Sequence, residues 1–361
     1  MSADPVVVVG AGPAGAAAAC VLAGAGRRVL MLERERGTGH KVCGEFLGGP
    51  ALARLAQLGI DVARLGAHPI GRVRIVRGRR QVERVLPFGG AGLSRRTLDA
   101  ALRRRATELG AELRHGVRAV AVAPGEVAMA DGKLRASAVM LATGKHELRG
   151  IRREGAHATR DLVGLKAHLR LDPDAVTALG GHVELFLLRD GYVGLQLVEA
   201  GLANLCLLTV PGRARLGWQE LLGTLSAESA VLRSRLAGAS PMWERPLAVA
   251  RIPYGFVHSG AGPDGVYRLG DQMGVIPSFT GEGLAIALHT GMAAAGAVLA
   301  GLGANAFHRR MRRAVVPPIR LAGALHWAGL TSAGQAAIVA GARLPGALPL
   351  LARATRLAGA W

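Results

Sequence analysis

An unbroken run of β-branched residues, Val6-Val7-Val8-Val9, lacks the apolar-polar alternation of a half-exposed strand and predicts a strand buried on both faces of a parallel sheet. It runs into Gly10-Ala11-Gly12-Pro13-Ala14-Gly15, an alanine-rich helical stretch to Gly26, and a second apolar strand, Val29-Leu30-Met31-Leu32-Glu33. Strand, glycine turn, helix and strand together make one βαβ unit. A helix follows from about Pro50 to Leu58, with Leu52, Leu55 and Leu58 on one face, and then short strands around Val73–Val76 and Val82–Leu86. Ser94 is placed to cap a helix that ends near Leu109-Gly110. A strand at Glu112–His115 and a hairpin turning at Asp131-Gly132 return the chain to a buried strand that ends in Val139-Met140-Leu141-Ala142-Thr143-Gly144.

From about residue 160 to 251 the pattern changes to alternation. The segments 162–171, 183–188, 192–198 and 203–210 are separated by turn signals such as Asp190-Gly191 and Ala200-Gly201, and predict an antiparallel sheet covered by a helical stretch at 218–236. The buried pattern then resumes. Val266–Leu269 is a strand ending in Gly270-Asp271, and Gly281-Glu282-Gly283 opens an apolar helix reaching about Leu299. Residues 307–356 read as helical, with breaks at Pro317-Pro318 and near Pro345. The chain therefore divides into a discontinuous α/β nucleotide-binding domain (1–159 and 252–303), a substrate domain with an antiparallel sheet (160–251) and a C-terminal helical segment (304–361).

The first unit carries the clearest chemistry. Gly10 and Gly12 remove the Cβ atoms that would hold a pyrophosphate off the backbone, and Gly15 lets helix and strand pack closely. The helix start offers free N–H groups and partial positive charge. Glu33 falls 18 residues after Gly15, where a carboxylate can accept ribose hydroxyls.

Composition removes some alternatives. The formal charge of +20 is carried by arginine spread along the chain, with only four lysines and 4% aromatics, and no basic block interleaved with aromatics argues for nucleic acid. Attraction to anionic substrates or surfaces fits better. Cys20, Cys43 and Cys206 show no paired metal-ligand spacing, so neither a metal site nor a disulfide framework is expected. The chain enters its first strand at once, which favours a cytoplasmic protein. Residues 321–342 contain no Asp, Glu, Lys or Arg. They read first as helical cover over the core or an apolar substrate, then as a peripheral membrane contact, and third as a membrane span. Arg309, Arg310, Arg312 and Arg313 lie just before them and suit an anionic surface.

Four spaced motifs resemble the FAD-dependent oxidoreductases of the para-hydroxybenzoate hydroxylase and geranylgeranyl reductase type. They are Gly10-x-Gly12-x-x-Gly15 with Glu33, Arg95-x-x-Leu98-Asp99, Ala142-Thr143-Gly144, and Gly270-Asp271 followed by Pro277 and Gly281-x-Gly283. The resemblance implies a Rossmann-like FAD-binding domain of the glutathione-reductase type. Gly10, Gly12, Ala14, Gly15, Glu33, Arg34, Arg95, Thr143, Gly144, Gly270, Asp271, Pro277, Gly281, Gly283 and Leu284 would then surround FAD. Glu33 would hold the adenosine ribose, Asp271 the ribityl chain, and the helix start at Gly281–Leu284 the electron-rich edge of the reduced ring.

The loop Lys41-Val42-Cys43-Gly44-Glu45 resembles the Cys-Gly segment of geranylgeranyl reductases, which makes Cys43 and Glu45 the candidate catalytic residues, Glu45 as proton donor or base. The alternative for them is a packing residue and a surface acid. His289, on an apolar helix, reads as a packed histidine. The first expectation for activity is a monooxygenase that hydroxylates an apolar phenolic or polyketide-like metabolite through a flavin C4a-hydroperoxide. The second is reduction of a carbon–carbon double bond, and the third a non-catalytic flavin- or nucleic-acid-binding protein. Thr143 stands where the aromatic hydroxylases carry an Asp linked to NADPH, so the electron donor is either NAD(P)H or a donor protein.

Overall fold

The Val6–Val9 run occupies the middle of a five-stranded, wholly parallel sheet in the computed structural model, which describes residues 4–153 and 162–357. The strand order is Val266–Arg268, Ala138–Leu141, Val6–Val9, Val29–Glu33, Glu112–His115. Both faces of the central strands are covered, which explains the missing alternation. Val6 and Val8 pack with the helices Pro13–Gly24, Arg95–Glu108 and Gly283–Leu299. Val7 and Val9 pack on the other face with a three-stranded antiparallel sheet, Ala119–Ala123, Glu126–Met129 and Gly132–Arg135. Helices Pro13–Gly24 and Gly283–Leu299 touch so closely that a Cβ on Gly291 would lie 2.2 Å from the Ala14 carbonyl oxygen.

The alternating segments form one nine-stranded sheet. Val163–Arg170, Ala203–Thr209, Gly191–Leu197 and His182–Leu188 are antiparallel neighbours, and His182–Leu188 then runs parallel to His68–Arg77. The strands expected at 73–76 and 82–86 are longer than their apolar cores, spanning His68–Arg77 and Arg80–Gly92. With Phe46–Leu47 they extend this second sheet, so the chain enters it at 46–92 as well as at 163–250. The boundary placed at 159/160 lies outside the described residues.

Two helical expectations change. The stretch at 218–236 is two helices, Trp218–Glu228 and Ala230–Leu236, because Ser229 takes an extended conformation and its hydroxyl caps the second helix at Leu232. The break expected at Pro317-Pro318 is absent: the helix Ala304–Gly329 runs through both prolines. Each proline removes its own N–H from the ladder, but the helix is held by burial of Val315, Pro318, Ile319 and Ala322 against the core. The chain breaks instead at Leu330–Thr331, where Thr331 caps Ser332–Arg343 through Gly334 N–H. Residues 321–342 are thus split between two helices. Among the described residues no single helix is long and apolar enough to cross a membrane; Ser332–Arg343 and Ala347–Ala354 pass that test only as a pair bent by 113°.

Candidate active site

Both ends of the α/β domain meet at one cavity of about 930 Å³. The glycine turn forms its floor. Gly10 has φ +99°, and a Cβ there would lie 2.5 Å from the Ala142 carbonyl oxygen. A Cβ on Gly15 would lie 2.0 Å from the Gly10 carbonyl oxygen, so Gly15 is a packing position that lets the helix start come close, while Ala14 lines the cavity. Gly12 differs: its missing Cβ points at open space whose nearest atom is Arg95 Nη2 at 3.7 Å. Arg95 is held there by a bidentate pair with buried Asp99, both contacts 2.8 Å. Gly12 caps Pro13–Gly24 without a side chain, leaving the first N–H groups of that helix toward the cavity.

Glu33 closes the end of its strand. Oε2 accepts from Ala11 N–H at 3.1 Å and from Arg103 Nη2 at 2.9 Å, and Oε1 from Glu35 N–H at 3.1 Å. Arg103, buried and also bonded to the Ala11 carbonyl, was not singled out in the sequence, where it is one of several arginines on its helix. Arg34 lines the cavity and bonds His146. On the opposite segment, Gln272 Nε2 bonds Thr143 Oγ1 and the Gly144 carbonyl, tying the two distant turns together. Gly270 N–H donates to Thr290 Oγ1 at 2.8 Å, while Asp271 pairs with Lys145 at 3.0 Å. Burial works against the charge on Lys145, but Asp271 outweighs it and raises the lysine pKa. Gly281 has φ +70° and sits against the Phe46 ring; Gly283 faces open space, and Leu284 lines the wall beside it. Pro277 is not among the residues lining the cavity; it caps the short helical turn Ser278–Thr280, whose residues do line it.

These features suit a flavin dinucleotide. A floor without Cβ atoms, a helix start, the Glu33 carboxylate and the Asp271–Lys145 pair surround one continuous space. We expect Glu33→Gln to weaken FAD binding about tenfold in a flavin titration. It should also cost about 1–3 kcal/mol in urea unfolding, since buried Arg103 loses its counter-charge.

Cys43 and Glu45 both line the cavity, but in different states. Cys43 is half-buried, and its Sγ accepts from the Glu45 N–H at 3.4 Å. Glu45 is fully buried with φ +58°, a left-handed conformation that a non-glycine residue adopts at some cost. Its Oε1 accepts from Lys166 Nζ and from Arg95 N–H, the latter at 2.6 Å, and Oε2 accepts from His168 Nε2 at 2.6 Å. Burial alone would raise this carboxyl, yet His168 and Lys166 together hold it below the usual range. Lys166 and His168 share one face of Val163–Arg170, opposite Leu165, Ala167 and Leu169. That alternation was visible in the sequence; their convergence on Glu45 was not. His40 offers a ligand atom within 4.8 Å of those of Glu45 and His168, but the carboxylate already carries the Lys166 ammonium. His289 is buried and bonded to Arg54, a packed histidine as expected.

Comparison with known proteins agrees with this geometry. The FAD binding domain family matches residues 4–136. The menaquinone reductase of Mycobacterium tuberculosis is 30% identical over 323 residues, 81% of this chain and 76% of that protein. Among solved structures, the flavin-dependent brominase Bmp2 matches with a TM-score of 0.78 over 98% of this chain and 93% of its own, at 17% identity. PqsL, a probable FAD-dependent monooxygenase from Pseudomonas aeruginosa, matches with a TM-score of 0.77 over 94% and 99%, at 18% identity. At such identities the two structures share the fold alone, whereas the mycobacterial relative is close enough to fix kinship. This chain belongs to the FAD-dependent oxidoreductases of the para-hydroxybenzoate hydroxylase and geranylgeranyl reductase superfamily.

Proposed function

We propose that the protein is a flavin-dependent reductase that saturates a carbon–carbon double bond in a long apolar lipid. The observation that carries this reading is the Cys43-Gly44-Glu45 loop, which resembles that of geranylgeranyl reductases and lies on the wall of a cavity continuous with the cofactor cradle. The relative named for menaquinone reduction supports it and supplies the first substrate to try. Bound FAD, once reduced, supplies hydride-transfer chemistry.

The chain's own residues do the rest. The Gly12 helix start and Glu33 bind the dinucleotide, and apolar side chains such as Val73, Leu185 and Ile252 exclude water around the alkene. Saturation adds a hydride and a proton across the double bond. In this scheme the Cys43 S–H gives that proton, and the Glu45 N–H on Sγ stabilises the thiolate left behind until solvent reprotonates it. Glu45 does not release a proton in this scheme; it is a fixed anion that holds the loop. Substrate arrives from a membrane surface: Leu344 and Leu350 are 62% and 66% exposed at the C-terminal helix pair, beside Arg343 and Arg353.

Photoreduced holoenzyme mixed anaerobically with menaquinone should be reoxidised. After air oxidation of any quinol, the recovered lipid should remain heavier by two hydrogens in its side chain. Ring hydroxylation, admitted by the fold shared with PqsL, is the second reading. It predicts no such product, but a phenol gaining one oxygen atom when air and NAD(P)H or a donor protein are supplied. Cys43→Ala should lower alkene turnover about a hundredfold with FAD still bound. Unchanged turnover would remove Cys43 from the chemistry.

A further inference from the structure

One wall of the cavity carries polar atoms in apolar surroundings. Tyr192, on Gly191–Leu197, and Tyr254 both bond the hydroxyl of Ser278, at 2.5 Å and 2.8 Å. Both phenols belong to a cluster with Ile75, Leu187, Leu208 and Ile252, and all three hydroxyl residues line the cavity. Three hydroxyls hold three protons, and the two bonds to Ser278 use two of them. The third lies between Tyr192 and Tyr254, which also interact directly, and a ligand acceptor can draw it away without breaking either bond to Ser278. Burial pushes both phenols above their ordinary range, so they stay neutral and donate. His326, from the helix Ala304–Gly329, packs edge-on against both rings, is 4% exposed, and its Nδ1 has no hydrogen-bond partner. Burial lowers its pKa to about 4, so it too is neutral near pH 7.

We propose that Tyr192, Ser278 and Tyr254, with His326 beside them, form a subsite that donates a hydrogen bond to a substrate carbonyl oxygen, so that the polar head of the ligand is of the quinone class. A carbonyl brings lone pairs and no proton, which matches a donor that can turn from its neighbour to a ligand. A phenol brings a further O–H that needs an acceptor of its own, a second demand on the subsite that a carbonyl does not make. The inference rests on the cavity being the substrate site of the proposed reductase, and it adds which end of the lipid lies against which wall.

The test is binding to the oxidised, FAD-loaded protein, read by calorimetry, so that turnover is not required. The probes are 2-methyl-1,4-naphthoquinone, 1-naphthol and 2-methylnaphthalene. The quinone should bind about tenfold more tightly than the hydrocarbon. Tyr192→Phe, Tyr254→Phe and Ser278→Ala should each weaken it about fivefold while leaving the hydrocarbon unchanged. Naphthol binding tightest, quinone binding no better than the hydrocarbon, or quinone affinity unchanged in every variant that keeps its FAD would each overturn the subsite. Loss of the subsite alongside intact alkene reduction would leave the proposed activity standing; quinone selectivity without alkene reduction would do the reverse.

Discussion

Gly12→Val is expected to give a folded protein that does not retain FAD. Gly12 has φ −77° and ψ −173°, an extended conformation that valine adopts readily, so the backbone is not strained by the change. Its Cβ would meet nothing closer than Arg95 Nη2 at 3.7 Å, so the new methyl groups would enter the cavity and not the core. They would fill space beside the start of Pro13–Gly24, where a pyrophosphate must approach the backbone. We expect FAD affinity to fall at least about a hundredfold, or ~2.7 kcal/mol. The flavin-to-protein absorbance ratio should collapse, and thermal unfolding of the apoprotein should match that of wild-type apoprotein. Gly15→Val is the control with the opposite failure. Its Cβ would lie 2.0 Å from the Gly10 carbonyl and 2.9 Å from Val8 Cγ1, so that variant should not fold. A yellow Gly12→Val protein with full FAD content would refute the placement of the cofactor.

The contrast between these glycines shows what the sequence could and could not convey. The motif placed Gly10, Gly12 and Gly15 together, and the parallel sheet was legible because Val6–Val9 and Val139–Leu141 lack alternation, a direct consequence of being covered on both faces. The antiparallel segments were legible from the turn signals between them, although Val163–Arg170, Gly191–Leu197 and Ala203–Thr209 are buried on both faces. Their junction with His68–Arg77 was not, because that strand is weakly apolar and its partner His182–Leu188 lies more than a hundred residues on. Pro317-Pro318 misled because local chemistry predicts a break, while burial of the flanking face decides otherwise. Glu45 was found through its loop. Lys166 and His168 were passed over since pairing across 121 and 123 residues leaves no local pattern. Tyr192, Tyr254 and Ser278 were likewise hidden, being brought together by a strand, a turn and a short helical turn far apart in sequence.

Lys166→Met should be among the most destabilising single changes in the chain. Lys166 is fully buried, and its ammonium is the only full positive charge of a lysine or arginine side chain that bonds Glu45 among the described residues. Removing it leaves a buried carboxylate supported by His168 and the Arg95 N–H, for which the expected cost is about 3–5 kcal/mol. Adding Glu45→Gln should restore much of that loss, because the double variant buries no unpaired charge, and the non-additivity measures the coupling.

The pH dependence supplies a second, independent reading. In the wild type the Glu45 carboxyl is held below its ordinary value of 4.5, so it contributes stability that is present above that value and is lost as pH falls through the folded pKa. Without Lys166, burial, already the largest influence, is opposed chiefly by His168, and the folded pKa is expected to rise past 4.5. The sign then reverses: the folded variant takes up a proton more readily than the unfolded chain, so its stability should rise as pH is lowered from 7 toward 5. Urea unfolding at both pH values checks this. A Lys166→Met protein whose stability does not rise between pH 7 and 5 would mean that Glu45 remains ionised without its lysine. His168 would then be the partner that holds the loop in the cavity wall.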